Sequence, residues 1–122
     1  MTIKVFDRTL EALSKTLDMR SEKQVIISAN IANSDTPGYQ AQELNFENAL
    51  ANALTIDEEA VKGVQGDLQT QINNVVREDG NTVDRDAEMT SLAENQLLYN
   101  AAADLLKKKL ALLKYSIADG GN

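Results

Sequence analysis

A heptad rhythm at both ends of the chain limits its fold more than any other feature. Ile3, Phe6, Leu10, Leu13, Leu17, Arg20, Gln24, Ile27 and Ile31 follow alternating spacings of three and four, and only Arg20 and Gln24 break the apolar series. Such spacing lays one narrow stripe along one side of a helix. No Gly or Pro interrupts Val5 to Asn33, so this helix extends about 43 Å at 1.5 Å per residue. Met89, Leu92, Gln96, Tyr99, Ala103, Leu106, Leu110, Leu113 and Ile117 repeat the alternation. Asp84 is a good N-cap for the second helix. Asp86 and Glu88 in its first turn, and Lys107, Lys108, Lys109 and Lys114 in its later turns, complement the helix dipole. Gly120 and Gly121 end it.

The pattern predicts an all-α fold: long N- and C-terminal helices in an antiparallel coiled-coil hairpin, joined by a loosely structured middle. The organisation is then a helix over 1–33, an acidic loop region over 34–83, a second helix over 84–118 and a tail over 119–122. Antiparallel pairing of the two seams sets Gln24 opposite Gln96, Arg20 over the Tyr99 ring, Phe6 opposite Leu113 and Ile31 opposite Met89. Each helix carries a second apolar strip as well: Val25, Ile26, Ala29 and Ala32 on the first; Ala102, Leu105 and Leu112 on the second. Two helices cannot cover both strips, and each large side chain left in water forgoes roughly 1.5–3 kcal/mol. A core this narrow favours a partner or self-assembly over an isolated bundle whose middle covers the strips.

The middle gives weaker signals. In Thr36-Pro37-Gly38-Tyr39, Pro37 suits the second position of a type II turn and Gly38 the third. Asn45 to Leu54 fits a short helix with Asn45 as cap. Asn74 to Val83 fits a small β-hairpin, with Val75 and Val76 facing Thr82 and Val83 across Asp79-Gly80. Asp79, Asn81, Asp84 and Asp86 loosely match a calcium loop, but Asp84 stands where that loop requires glycine, so a turn running into a helix cap is the better reading.

Composition narrows the chemistry. The chain has neither Cys nor His, which removes thiolate chemistry, disulfides and the commonest general base and metal ligand. Nothing in the pattern suggests a catalytic, cofactor-binding or metal site. The net charge of −7 is concentrated in residues 34–84, where Lys62 and Arg77 stand against ten acidic residues. A basic face for nucleic acid is therefore absent. The first residues have no apolar h-region, so no cleavable signal peptide is expected. From these features alone, an assembling structural subunit stands first and a cytoplasmic helical adaptor or secretion chaperone second. A carboxylate enzyme is a distant third, and a membrane-binding Leu/Lys helix is a lesser option.

Ala29-Asn30-Ile31-Ala32-Asn33 running into Thr36-Pro37-Gly38-Tyr39 resembles the N-terminal signature of the flagellar rod, hook and hook-associated axial proteins. Gly80-Asn81-Thr82-Val83-Asp84, Glu88-Met89, Leu92-Ala93-Glu94-Asn95 and Tyr99 resemble the proximal-rod branch of that family. The resemblance spans about residues 5–50 and 79–117, and the short chain agrees with it. It implies a structural rod subunit of the basal body, with its terminal helices forming the inner layer of a helical tube that transmits torque around an export channel. It also implies passage through the flagellar type III export apparatus, self-association, and contact with other axial proteins, the junction protein FliE below and the rod protein FlgC above. Phe6, Leu10, Leu13, Leu17, Ile27, Ile31, Met89, Leu92, Tyr99, Leu106, Leu110, Leu113 and Ile117 are the helix-packing and assembly residues on this reading. Ala29, Asn30, Asn33, Thr36, Pro37, Gly38 and Tyr39 form the family motif, the two asparagine amides bonding either to the turn or to a neighbouring subunit.

Overall fold

A computed structural model describes residues 2–72 and 74–120. Two long helices, α1 (Thr2–Ala32) and α4 (Arg85–Gly120), enclose a compact middle of β1 (Gln42–Asn45), α2 (Glu47–Leu54), α3 (Glu58–Lys62) and β2 (Asp67–Thr70). The long helices lie side by side and antiparallel: Lys109 Nζ sits 5.7 Å from the Phe6 ring, while Asn95 bonds to Arg20 and Gln24. Asp84 caps α4 as its sequence position suggests, accepting from the Ala87 amide at 3.1 Å. Gly121 and the Ile3 side chain lie outside the described residues.

The middle packs on α1 rather than on α4. Ala12 and Met19, seven residues apart on a second face of α1, enter one cluster with Phe46, Leu50, Ala53, Val61 and Val64. α1 is therefore a two-sided spine, with one stripe toward α4 and another toward the middle. Arg8 Nη1 bonds to the Leu54 carbonyl at 3.1 Å, satisfying an acceptor at the C-terminal end of α2. Asp57 caps α3 by accepting from Ala60 N at 2.8 Å.

Three expectations for the middle are corrected. The mostly helical fold carries its one strand pair elsewhere than expected: among the described residues β1 and β2 pair antiparallel, with Gln42 opposite Thr70 and Asn45 opposite Asp67. The hairpin predicted over Asn74–Val83 does not form: Val75 and Val76 stay exposed, and Thr82 N donates to the Tyr39 carbonyl instead. Its turn does exist. Gly80 N bonds back to Arg77 O, and Gly80 has φ +82°. Asn45 is not the cap of α2; that position falls to Phe46, whose amide donates to the Glu47 carboxylate at 3.1 Å.

The two turns lean on each other. Tyr39 N donates to Thr36 O and Gly38 has φ +74°, as the Pro37-Gly38 turn requires. Gly38 N then donates to Asp79 O at 2.8 Å, and a Cβ on Gly80 would meet the Gly38 Cα at 3.4 Å. Gly80→Ala therefore combines left-handed strain with crowding and should lower stability by about 1–2 kcal/mol. Urea melts of the two proteins, compared at equal m-value, measure that loss.

Candidate assembly surface

The motif residues build an asparagine-rich hub where α1 ends. Asn30 is fully buried and treats Gln42 as a strand neighbour would: its Nδ2 donates to Gln42 O at 2.7 Å and its Oδ1 accepts from Gln42 N at 3.0 Å. The same Oδ1 accepts from the Tyr39 hydroxyl at 3.4 Å. Asn33 Nδ2 donates back to Ala29 O, and its Oδ1 accepts from Thr36 Oγ1. Both amides thus bond within the chain, to the turn and the strand that follow. Asn81, also fully buried, donates to the carbonyls of Asn33 and Thr36 and accepts from Val83 N. Arg77 donates to Ser34 O, and Arg85 to Ser34 Oγ. This hub fixes the exit of α1 against the entry of α4, and so sets how the two helices meet. Pro37 itself is exposed.

Along the helix pair the seam is polar where it was expected to be, but rotated on α4. Among the described residues, those of α4 shielded from solvent are Glu88, Ser91, Leu92, Asn95, Tyr99, Ala102, Ala103, Leu106 and Lys109. The heptad holds, yet Asn95 rather than Gln96 meets Gln24. Its Nδ2 donates to Arg20 O at 2.8 Å and to Gln24 Oε1 at 2.9 Å, and its Oδ1 accepts from Arg20 Nη1 at 3.3 Å. A short amide fits between the backbones, whereas Gln96 turns outward and bonds to Asn100. Arg20 lies over the Phe46 ring at 4.9 Å and not over Tyr99. Phe6 sits beside Lys109, one turn short of Leu113.

Glu47 ties this seam to the middle, 2.9 Å from Lys23 Nζ and 3.5 Å from Arg20 Nη1. Partial burial pushes its carboxyl up, but the Lys23 hydrogen bond, the Phe46 and Glu47 amides and the Lys23 charge outweigh burial and hold it below its ordinary 4.5. The folded state thus binds this proton less readily than the unfolded state. Its stabilisation is complete above the ordinary carboxylate range and fades as pH falls through the lowered value. With the side chain 44% exposed, the effect is under about 1 kcal/mol. Melting temperature should drop below about pH 4.5 in the native protein, and Glu47→Gln should flatten part of that drop.

The structure divides the predicted packing residues into two groups. Ile27 is buried, and Phe6, Leu10, Leu13, Leu17, Ile31, Leu92, Tyr99 and Leu106 are half-buried along the helix pair. Met89, Leu110, Leu113 and Ile117 are exposed in the single chain. With them lie Leu98, Leu105 and Leu112, a second stripe at seven-residue spacing whose exposures of 46%, 51% and 60% rise toward the C-terminus. Val25 on α1 is exposed too. The middle covers Ala12 and Met19 but leaves Val25, Leu105 and Leu112 bare. Among the described residues no group of acidic side chains is arranged to hold a metal ion, and no helix is long and apolar enough to cross a membrane.

Sequence reasoning placed Asn81 and Asn95 in the family motifs without giving them a packing role, and it missed the Ala12 and Met19 stripe. The signal for the last was present, since both are apolar at heptad spacing in a helix whose main seam lies elsewhere.

The hub, the antiparallel spine and the bare outer face of α4 belong to a chain with recognisable relatives. The profile of the family described as "Flagella basal body rod protein" matches residues 10–40, which run from mid-α1 through the Pro37-Gly38 turn. The flagellar basal body rod protein FlgB of Salmonella typhimurium is 34% identical over 134 aligned residues, covering 95% of this chain and 96% of the relative. FlgB of Escherichia coli K12 is 34% identical with 85% and 88% covered, and FlgB of Bacillus subtilis is 33% identical with 95% and 98% covered. The adaptor or secretion-chaperone alternative finds no support in them. Full-length similarity at this level, reaching both long helices and the middle between them, means that the chain belongs to the FlgB family of flagellar basal body rod proteins.

Proposed function

We propose that this structural subunit of the basal body rod assembles through the exposed faces of its terminal helices into a helical tube that surrounds the export channel and transmits torque. The observation that carries the proposal is the orientation of α4. It turns Asn95, Ala102 and Lys109 toward its own α1 and leaves Leu98, Leu105 and Leu112 in solvent. Burying Leu97, Leu98, Leu105, Leu110, Leu112, Leu113 and Ile117 against neighbours makes of order 10 kcal/mol available per subunit. That gain stabilises the assembly rather than the monomer. In this reading the helices 1–33 and 84–118 form coiled-coil contacts, and the acidic region 34–83 holds their geometry through the asparagine hub.

The role is structural rather than enzymatic. Association is with other rod components, FliE and FlgC being the neighbours the family resemblance implies, and delivery is by the flagellar type III export apparatus. Leu105→Glu combined with Leu112→Glu tests the surface, because both positions are solvent-exposed and the monomer should keep its helicity by circular dichroism. Swimming should be lost in cells carrying the double variant as their sole copy. Normal swimming with the variant protein present in basal bodies would overturn the proposal.

A further inference from the structure

An apolar groove opens between α1 and the small sheet. Val25, Ile26, Leu44, Gly66 and Leu68 line about 340 Å³ of it, with Glu22 beside them. Leu44 is buried, but Val25 is 66% and Leu68 51% exposed, so the groove has an apolar floor and open apolar walls.

Charge says what fits there. Asp7, Asp18, Glu22 and Val25 share one face of α1, at spacings of eleven, four and three residues. The three carboxylates are exposed, and among the described residues none of them meets a cation of its own chain. The outer part of α4 is the reverse. Residues 105–118 hold four lysines and no acidic side chain. Lys107, Lys108 and Lys114 are exposed and make no ion pair with a described residue. Lys108 stands three residues after Leu105 and four before Leu112, so it shares the face of the leucine stripe. The chain thus carries an acidic face ending in an apolar groove and a basic face built on an apolar stripe.

A tube of like-oriented subunits needs two different faces that fit each other, because one face meeting its own copy closes a pair. With the long helices along the tube, the α4 of one copy passes the α1 of the next antiparallel, as it does inside the chain. We infer that the α1 groove of one copy receives the α4 stripe of the next, with Leu98 seated against Val25 and Leu68. Antiparallel register then sets Leu105 opposite Asp18 and Lys108 about one turn away, opposite residue 15. Helical side chains lean toward the N-terminus of their own helix. Lys108 and Asp18 therefore lean toward each other, while Lys15 leans away from Lys108. The inference rests on the rod reading and names the two faces that meet in it.

The chain has no cysteine, so Val25→Cys and Leu98→Cys each introduce a single, exposed thiol. Cells without the native copy co-express the two full-length variants, and their basal bodies are oxidised mildly and run on a non-reducing gel. A disulfide needs Cα atoms within about 7 Å, so the expected result is a dimer linked between positions 25 and 98, confirmed by mass spectrometry of the joined peptides. Either variant expressed alone should dimerise at least tenfold less. Monomer only, in basal bodies that contain both variants, would overturn the inference and leave the rod assignment standing. A dimer of one variant alone at the mixed level would mean that like faces meet, and would overturn it too. A second arm uses no thiol, and it decides the case if a thiol variant does not enter the particles. Lys108→Glu should lower the chain's content in basal bodies at least fivefold, and adding Asp18→Lys to the same chain should restore it to within twofold. No loss, or loss without rescue, would overturn the inference. Absence of the native chain from basal bodies would instead overturn the rod reading together with it.

Discussion

Asn30→Ala should destabilise the chain by about 3–5 kcal/mol, the sum of two or more buried polar groups left unpaired. The substitution strips Gln42 N and Gln42 O of their partner at once, and it also removes an acceptor from the Tyr39 hydroxyl. Water cannot readily replace an amide that is itself fully buried. Asn30→Asp separates the terms. It keeps an acceptor for Gln42 N but sets a second carboxylate oxygen against Gln42 O, so it should be almost as damaging. Denaturant melts followed by circular dichroism check both. A loss under about 1 kcal/mol for Asn30→Ala, the size of a single ordinary hydrogen bond, would mean the hub does not depend on this residue. Because the hub joins the end of α1 to the start of α4, its failure should also lower rod assembly at temperatures where the spine still melts cooperatively.

Phe46→Ala should cost a similar amount, about 3–5 kcal/mol for an aromatic side chain removed from a packed core. Phe46 is only 2% exposed and shares the middle's cluster with Met19, Leu50, Ala53 and Val61. Aromatic residues make up only 4% of the chain, so no second ring in that cluster can fill the space. The Phe46 ring also sits beneath two cations, Arg20 at 4.9 Å and Lys23 at 5.8 Å. Phe46→Leu keeps most of the burial while removing the ring's negative face, so it should lose about 1 kcal/mol. The difference between the leucine and alanine variants, read from urea midpoints, divides volume from cation–π attraction. If leucine proved as harmful as alanine, the cations rather than the cavity would dominate.

The two long helices were legible because their signal is local and repeated. Spacings of three and four, the absence of Gly and Pro, and Asp84 before the second run are all read within a few residues. Which stripe of α4 faces inward was not legible. Several of its sides are apolar, and the decision lies with Asn95, whose partners Arg20 and Gln24 are remote in sequence. The sheet was missed for a related reason. The Asp79-Gly80 turn is visible and real, but strand partners are chosen by tertiary packing: β1 pairs with β2 across the whole of α2 and α3, while Val75 and Val76 stay exposed. The asparagines of the motif were legible as special residues because they are poor helix formers at a helix end. Their geometry, above all the strand-like grip of Asn30 on Gln42, required the fold.

The exposed leucines are the point where fold and function meet. α4 turns Asn95 and Ala102 inward with Leu92, Tyr99 and Leu106, while Leu98, Leu105 and Leu112 face solvent, the apolar area that the proposed assembly would bury. On the proposed reading the acidic middle is a brace that holds the two long helices together at the asparagine hub.

The most direct measurement is quantitative mass spectrometry of detergent-purified basal bodies from cells carrying this chain, with and without Leu105→Glu and Leu112→Glu. The account predicts the native chain at a fixed ratio to the other rod proteins and loss of the double variant from the particles. Native chain absent from intact basal bodies, or the variant retained at the native ratio, would contradict it.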